Sequence, residues 1–253
     1  MNLPKDYISH NQIRLYQSCP KKYFFSYIEE ISVPISDKIF IGMVFHAAAE
    51  EYFKQQMEGQ PPATSHDLAQ IFREKFSRMQ TENQVCWVAS PEQAEKRGLA
   101  FFHHFSREIA PHIDPLMVEK ELEVDIPSLS VRLRGIIDLV EKDFSITDFK
   151  TTTSRWSKER IKSSYLQMVI YKYLFEKSFG NAISDLKIHI IYSKDANGIK
   201  NQLIVRKASD FEFDRMLEII RYVTENISNR VFYKNESYFC GFCEYAEICR
   251  NHK

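Results

Sequence analysis

Glycine is scarce in this chain, seven of 253 residues, and no G-x-x-x-x-G-K-[ST] run occurs in it. The first argues against a glycine-rich phosphate cradle, and the second excludes a P-loop nucleotide motor. Excess charge of one sign is also missing. Lys and Arg together number 34, as do Asp and Glu, so no global basic field draws the chain to polyanions, and any such contact has to be local. No uninterrupted apolar run approaches the roughly 18 residues of a membrane-spanning helix. The opening Met1-Asn2-Leu3-Pro4-Lys5-Asp6 lacks the charged-then-apolar order of a secretory leader. The expectation is a cytoplasmic protein with no membrane partner.

Cysteines are few as well, five in all, and in a reducing compartment they do not make a disulfide framework. Four of them sit at the extremities: Cys19, then Cys240, Cys243 and Cys249. Cys240-Gly241-Phe242-Cys243 is a C-x₂-C turn, Cys249 follows after five residues, and Cys19 is the obvious fourth thiolate. Approach of the two chain ends would complete a Cys₄ site suited to [4Fe–4S] or to tetrahedral Zn²⁺. A zinc ribbon normally brings its cysteines as two close pairs, whereas one here is single and distant, which favours iron–sulfur. Cys86, beside Trp87, is expected to be a buried spare.

What is present is a core: 44% of the residues are hydrophobic and 13% aromatic, enough for residues 1–253 to fold as one large domain. Ser9 is placed to cap a helix carrying Ile13, Leu15 and Tyr16, and an aromatic-rich helical stretch follows from Pro20 to Ile28. Helical periods continue over 39–58, 66–80 and 92–110. From Leu116 the period drops to two, with Val118, Lys120, Leu122, Val124 and Ile126 alternating with acids, and strands follow at about 130–141 and 144–150. A helix over 158–179 ends at Gly180-Asn181. Strands at 185–193 and 200–206 flank the turn-forming Asp195-Ala196-Asn197-Gly198, and a helix over 209–228 leads to the cysteines. This order predicts an α/β fold, a core sheet flanked by helices, with a helical elaboration at about 50–115.

The chemistry concentrates in one hairpin. Gly135-Ile136-Ile137-Asp138 and Asp148-Phe149-Lys150-Thr151 flank a turn expected at 142–143. That turn sets Asp138 and Asp148 nearly opposite each other, Cα atoms about 4.5–5.5 Å apart. Alternation puts Asp148 and Lys150 on one face and Phe149 on the other. Two such acids hold Mg²⁺ or Mn²⁺, and an ammonium beside them orients water or stabilises developing charge on a phosphodiester. Taken alone, D-x₉-D-x-K also fits a surface hairpin with three exposed charges. The apolar neighbours Ile136, Ile137, Leu139, Val140, Ile146 and Phe149 argue for burial, where an unpaired charge is costly.

The G-x-I-D and D-F-K-T segments resemble the RecB-like branch of the PD-(D/E)XK nuclease superfamily, whose core has the restriction-endonuclease-like fold. The resemblance implies metal ligation by Asp138, Asp148 and the backbone carbonyl of Phe149, with Lys150 as the catalytic lysine. Gly42-x-x-x-His46 has the spacing that this branch places before its hairpin, which implies an imidazole ligand at His46 and a preference for Mn²⁺ over Mg²⁺. Gln167 and Tyr171, four apart on one helix face, match its Q-x-x-x-Y motif and imply DNA binding beside the site. Glu119 lies where the branch often carries an acid, but Glu121 and Glu123 share its face, and it stays unassigned. Arg155, Lys158, Arg160 and Lys162 form the strongest basic cluster, with Trp156 as a stacking surface among them; a solvated helix start explains them equally.

The C…C-x₂-C-x₅-C layout with C-P-x-x-Y at Cys19 is similar to iron–sulfur members of the branch, among them the CRISPR-associated Cas-four exonucleases and the AddB nuclease domain. By that resemblance, residues 9–28 and 236–253 form an Fe–S clamp around a nuclease core at about 116–207. The implied activity is metal-dependent exonucleolytic cleavage of single-stranded DNA, in CRISPR adaptation or DNA repair. The implied alternative is a DNA-end-binding subunit docked to an integrase or helicase.

Overall fold

The computed structural model describes residues 3–88, 90–194, 198–207 and 209–252. The chain begins with β1 (Ile8–Ser9), α1 (His10–Ser18) and α2 (Pro20–Tyr23), which runs on into a wide π turn over Phe24–Ile28. Next come β2 (Ile35–Ser36), α3 (Asp37–Met57), α4 (Ser65–Glu82), β3 (Val85–Cys86) and α5 (Pro91–Glu108). The second half carries β4 (Pro115–Ile126), β5 (Val131–Glu141), β6 (Ile146–Thr152), α6 (Lys158–Phe179), β7 (Leu186–Tyr192), β8 (Lys200–Arg206), α7 (Asp210–Ser228) and α8 (Ala246–Asn251). Residues 195–197, in the expected Asp195–Gly198 turn, lie outside the described residues.

Local sequence explains the helix ends. Ser9, Ser36, Ser90 and Ser157 each cap a helix by accepting a backbone N–H three residues on. Gly180, at φ 74°, closes α6 in the left-handed conformation that glycine adopts without strain.

Six strands form one mixed sheet, in the order β1-β5-β6-β7-β8 with β4 also paired to β5. β6 and β7 run parallel, joined by α6 as the crossover, while β4–β5, β5–β6 and β7–β8 are antiparallel. Each face of the sheet has its own core. On one, Leu133, Ile137, Ile188 and Ile190 pack with Ile13 of α1, Met168, Ile170 and Leu174 of α6, and Met216 and Ile220 of α7. On the other, Leu139, Phe149 and Ile191 meet Phe45 and Phe53 of α3, Phe72 of α4, and Phe102 and Phe105 of α5. The 50–115 segment therefore belongs to a full helical layer. Phe149 anchors β6 in it, its ring 5.3 Å from that of Phe105 and 6.1 Å from that of Phe53.

Gly98 lets α5 pack against α3 and α4. A Cβ there would overlap the Phe72 ring and come within 3.3 Å of Ile41 Cγ2. Because Phe72 is fully buried, the ring cannot step aside cheaply, and overpacking costs roughly 1–3 kcal/mol. That exceeds the helix-propensity gain of up to about 1 kcal/mol. Gly98→Ala is expected to lower the denaturant midpoint in equilibrium unfolding.

Cys86 departs from expectation: it is exposed. β3 pairs with β2, and alternation along Val85-Cys86-Trp87 turns its neighbours inward instead. Trp87 packs on Phe40 and Phe76, ring centroids 5.4 and 6.1 Å away.

Candidate active site

β5 and β6 meet in a hairpin whose turn is one residue longer than expected. Glu141 N–H donates to Ser145 O at 2.9 Å, leaving residues 142–144 in the loop, and Phe144 takes a left-handed φ of 60°. The added residue sets the register Leu139↔Thr147 and Val140↔Ile146. Continued by one step, that register puts Asp138 directly across from Asp148. Pairing stops there, and the Asp138 carboxylate takes over, accepting the Phe149 N–H at 2.9 Å.

The two acids are buried, Asp138 at 8% exposure and Asp148 at 0%. Lys150 shares their face and donates to Asp148 Oδ1 at 2.8 Å. The other oxygen, Asp148 Oδ2, is buried with no hydrogen-bond partner among the described residues. Burial drives the Asp148 pKa up to about 6, with the Asp138 charge adding to it and Lys150 opposing. Burial likewise raises Asp138. For Lys150 burial works the other way, yet the two aspartates outweigh it and raise its pKa, so the ammonium stays charged.

Glu119 belongs to this group. It alone on β4 adopts a left-handed φ, 44°, and pairing with β5 skips it between Val118↔Leu139 and Lys120↔Ile137. The kink turns its carboxylate toward His46, Oε1 to Nδ1 3.5 Å, while Asp138 Oδ2 lies 3.4 Å from the same nitrogen. Among the described residues, His46, Glu119 and Asp138 are the set whose ligand atoms all lie within 4.8 Å of one another. Burial disfavours the His46 imidazolium, but Asp138 and Glu119 lift its pKa to about 9. Glu121 and Glu123, expected on the same face as Glu119, instead pair with Arg134. Alternation alone could not separate the three, because the break at Glu119 is a backbone event. α3 carries His46 one turn beyond Gly42, and a Cβ at Gly42 would make an ordinary 3.6 Å contact with Thr151 Oγ1 of β6.

α6 supplies the opposite wall. Gln167 Nε2 donates to Tyr171 OH at 2.7 Å. Burial, then the charges of Asp138 and Asp148, raises the Tyr171 pKa well above its usual range. Gly135 permits the approach: a Cβ there would come within 2.7 Å of Leu174 Cδ1 and 3.4 Å of the Tyr171 ring. Arg155, Lys158, Arg160 and Lys162 are exposed as expected. Trp156 is not the stacking surface expected of it: it is 7% exposed, packed in the core with Arg160 laid over its ring at 4.6 Å.

The chain ends do meet. Tyr16 OH donates to Val231 O at 2.7 Å, Lys21 N–H to Tyr233 O at 3.0 Å, and Asn235 Nδ2 to Ser18 O at 2.9 Å. Cys19, Cys240, Cys243 and Cys249 all line one cavity of about 790 Å³. Among the described residues no three of their sulfurs draw within 4.8 Å of one another. Burial raises the Cys243 thiol pKa, with Cys19 contributing to the rise.

A mixed sheet between two helical layers, with acids, imidazole and ammonium converging where two of its strands part, is the plan of an α/β hydrolytic core with a donor set for a hard cation. The sequence profile of the PD-(D/E)XK nuclease superfamily matches residues 7–250, and the chain belongs to that superfamily. A crystal structure from Eubacterium rectale, described as a candidate exonuclease, superposes with a TM-score of 0.62 at 12% identity, covering 98% of this chain and 88% of that one. The likeness is one of fold. A Listeria welshimeri protein described as a UPF0754 membrane protein is 21% identical over 193 residues, 70% of this chain and 50% of its own. The chain thus spans about half the length of that curated relative. Among the described residues no helix is long and apolar enough to cross a membrane.

Proposed function

We propose that the chain is a Mg²⁺- or Mn²⁺-dependent deoxyribonuclease that digests single-stranded DNA from its ends, with a [4Fe–4S] cluster tying its termini together. The observation that carries the catalytic part is the buried Asp148 Oδ2, without a hydrogen-bond partner among the described residues, on a carboxylate paired with Lys150. A polar atom at 0% exposure without a partner is costly unless a ligand completes it. Asp138, Asp148 and the Phe149 carbonyl would hold the cation, with His46 as the imidazole donor that tilts the preference toward Mn²⁺. Glu119 sits across from Asp138 and would add a fourth oxygen donor. Such a cation polarises the phosphate and lowers the pKa of bound water. Lys150 is positioned to orient that water and to meet the charge that develops on the phosphate. Gln167 and Tyr171 line the wall along which the strand would lie.

Metal addition tests the site without reference to cleavage. Because a ligand that binds only the folded state stabilises by RT ln(1 + [L]/Kd), about 2.7 kcal/mol at a hundredfold excess over Kd, Mn²⁺ is expected to raise the Tm of the wild type. His46→Ala is expected to need roughly 10- to 100-fold more Mn²⁺ for the same rise.

The cluster reading draws on the cavity that the four cysteines share. End-labelled single-stranded oligonucleotides with Mn²⁺ test the activity directly, and shortening from one labelled end is the expected result. A second reading, a DNA-end-binding subunit that docks on an integrase or helicase, draws on one observation. Tyr238, Phe239 and Phe242 stand 81%, 75% and 77% exposed on the cysteine turn, a contiguous apolar patch. Tight end binding with no cleavage by the isolated chain, and co-purification with such a partner, would favour it.

A further inference from the structure

His10 and Arg14 stand one turn apart on α1 and so share a face. β1, which leads directly into α1, pairs with β5 of the hairpin, and the Lys150 charge is felt at His10. Burial pushes the His10 pKa down to about 3, and Arg14 and Lys150 push the same way, so the ring is neutral. His10 is 9% exposed, and its Nδ1 is buried with no hydrogen-bond partner among the described residues. Arg160 approaches from α6, held over the Trp156 ring and donating to Thr152 Oγ1 at 3.4 Å, two residues beyond Lys150. α1 packs against α6, so Arg14 and Arg160 come from neighbouring helices; burial and then the Arg14 charge depress the Arg160 pKa. Both are exposed, and among the described residues neither has a carboxylate partner.

Three cations, Arg14, Arg160 and Lys150, thus gather at one rim, and only Lys150 has an acid to balance it. Like charges held together without a counter-ion destabilise the empty site and favour an anion between them. We propose that His10, Arg14 and Arg160 form a subsite for a non-scissile phosphate of the DNA strand, adjacent to the phosphate at the hairpin acids. A phosphodiester offers two unbridged oxygens to the guanidinium forks, and His10, in the tautomer protonated at Nδ1, supplies a neutral donor. The Trp156 ring braces Arg160, so less side-chain freedom is lost when the strand binds. The subsite rests on the nuclease reading above and names how that site grips its substrate. These are positioning residues, acting on where the strand lies and not on the reacting atoms.

The test uses the full chain, with single-stranded oligonucleotides bearing either a terminal phosphate or a terminal hydroxyl. Cleavage is followed in Mn²⁺ and binding by fluorescence anisotropy in EDTA, each across a salt series. Arg14→Ala and Arg160→Ala are each expected to raise KM about tenfold while kcat stays within about threefold. Each should also flatten the dependence of log affinity on log salt by about 0.7, the value for one lost contact to a single strand. Arg14→Lys should recover most of the salt slope, since the charge is restored. An unchanged KM with an unchanged slope in both alanine variants overturns the subsite. A penalty confined to the phosphate-ended oligonucleotide also overturns it, because the anion gripped would then be a terminal monoester. Wild-type protein that neither cleaves nor binds the strand defeats the nuclease reading itself; wild type that does both while the variants match it defeats only the subsite.

Discussion

Asp148→Asn and Lys150→Ala are each expected to lower cleavage of single-stranded DNA by about 10³-fold or more, in protein that still folds. On the proposed reading several kcal/mol of transition-state stabilisation would pass through these two side chains, and each 1.36 kcal/mol is a factor of ten in rate. The aspartate offers an oxygen without a hydrogen-bond partner among the described residues. The lysine stays charged because two carboxylates hold it so. The double variant should be little worse than either single one, as expected of groups that act as a unit. Folding is separable from chemistry here. With the Asp148 carboxyl pushed up to about 6 by burial, the metal-free wild type bears a cost that asparagine removes. Asp148→Asn should therefore unfold no earlier than the metal-free wild type, and should lose the Mn²⁺-dependent rise in Tm. Circular dichroism melts with and without Mn²⁺, beside oligonucleotide digestion, check both halves. Full cleavage by either single variant would overturn the assignment.

Much of this architecture could be read from the chain because its signals are local. Ser157 and Gly180 bracket α6 at the residues where a cap and a left-handed stop belong. The period-two run into Ile126 marks β4. The pairing of Asp148 with Lys150 follows from alternation within a single strand. What escaped was nonlocal or broke a period. Phe144 holds a conformation that bulky side chains rarely take, and it alone converts "nearly opposite" into "opposite" for the two acids. Glu119 leaves the alternation by a backbone kink, so an acid that looked like its neighbours Glu121 and Glu123 faces inward while they face the arginines of β5. Trp156 and Cys86 exchanged expected environments, since burial depends on which layer a short segment meets. Arg14 carried no signal at all: the charges it acts on, Lys150 and Arg160, are more than 130 residues away along the chain.

Cys19→Ser is the variant expected to disturb the molecule most widely. Cys19 ends α1, its backbone N–H bonded to Leu15 O at 3.0 Å, and its side chain opens into the cavity shared with Cys240, Cys243 and Cys249. Hydrogen bonds and the Lys22–Glu244 ion pair at 2.8 Å already hold the two ends together, but such partly exposed contacts contribute only about 1 kcal/mol each. A metal centre tied to four thiolates contributes far more, on the order of 10 kcal/mol for structural zinc in small domains. Removing one ligand should therefore bleach the broad visible absorbance expected of anaerobically purified wild type. It should also lower Tm by many degrees and expose the segment after α7 to limited proteolysis. Cys86→Ser, on the exposed side of β3, should change none of the three. Because α1 is fixed at its far end by Cys19 and carries His10 and Arg14 along its length, the same variant should weaken strand binding more than it weakens metal binding at His46. Wild type that is colourless and holds stoichiometric zinc would replace the cluster with a zinc site, and a Cys19→Ser protein as brown as the wild type would remove Cys19 from the ligand set.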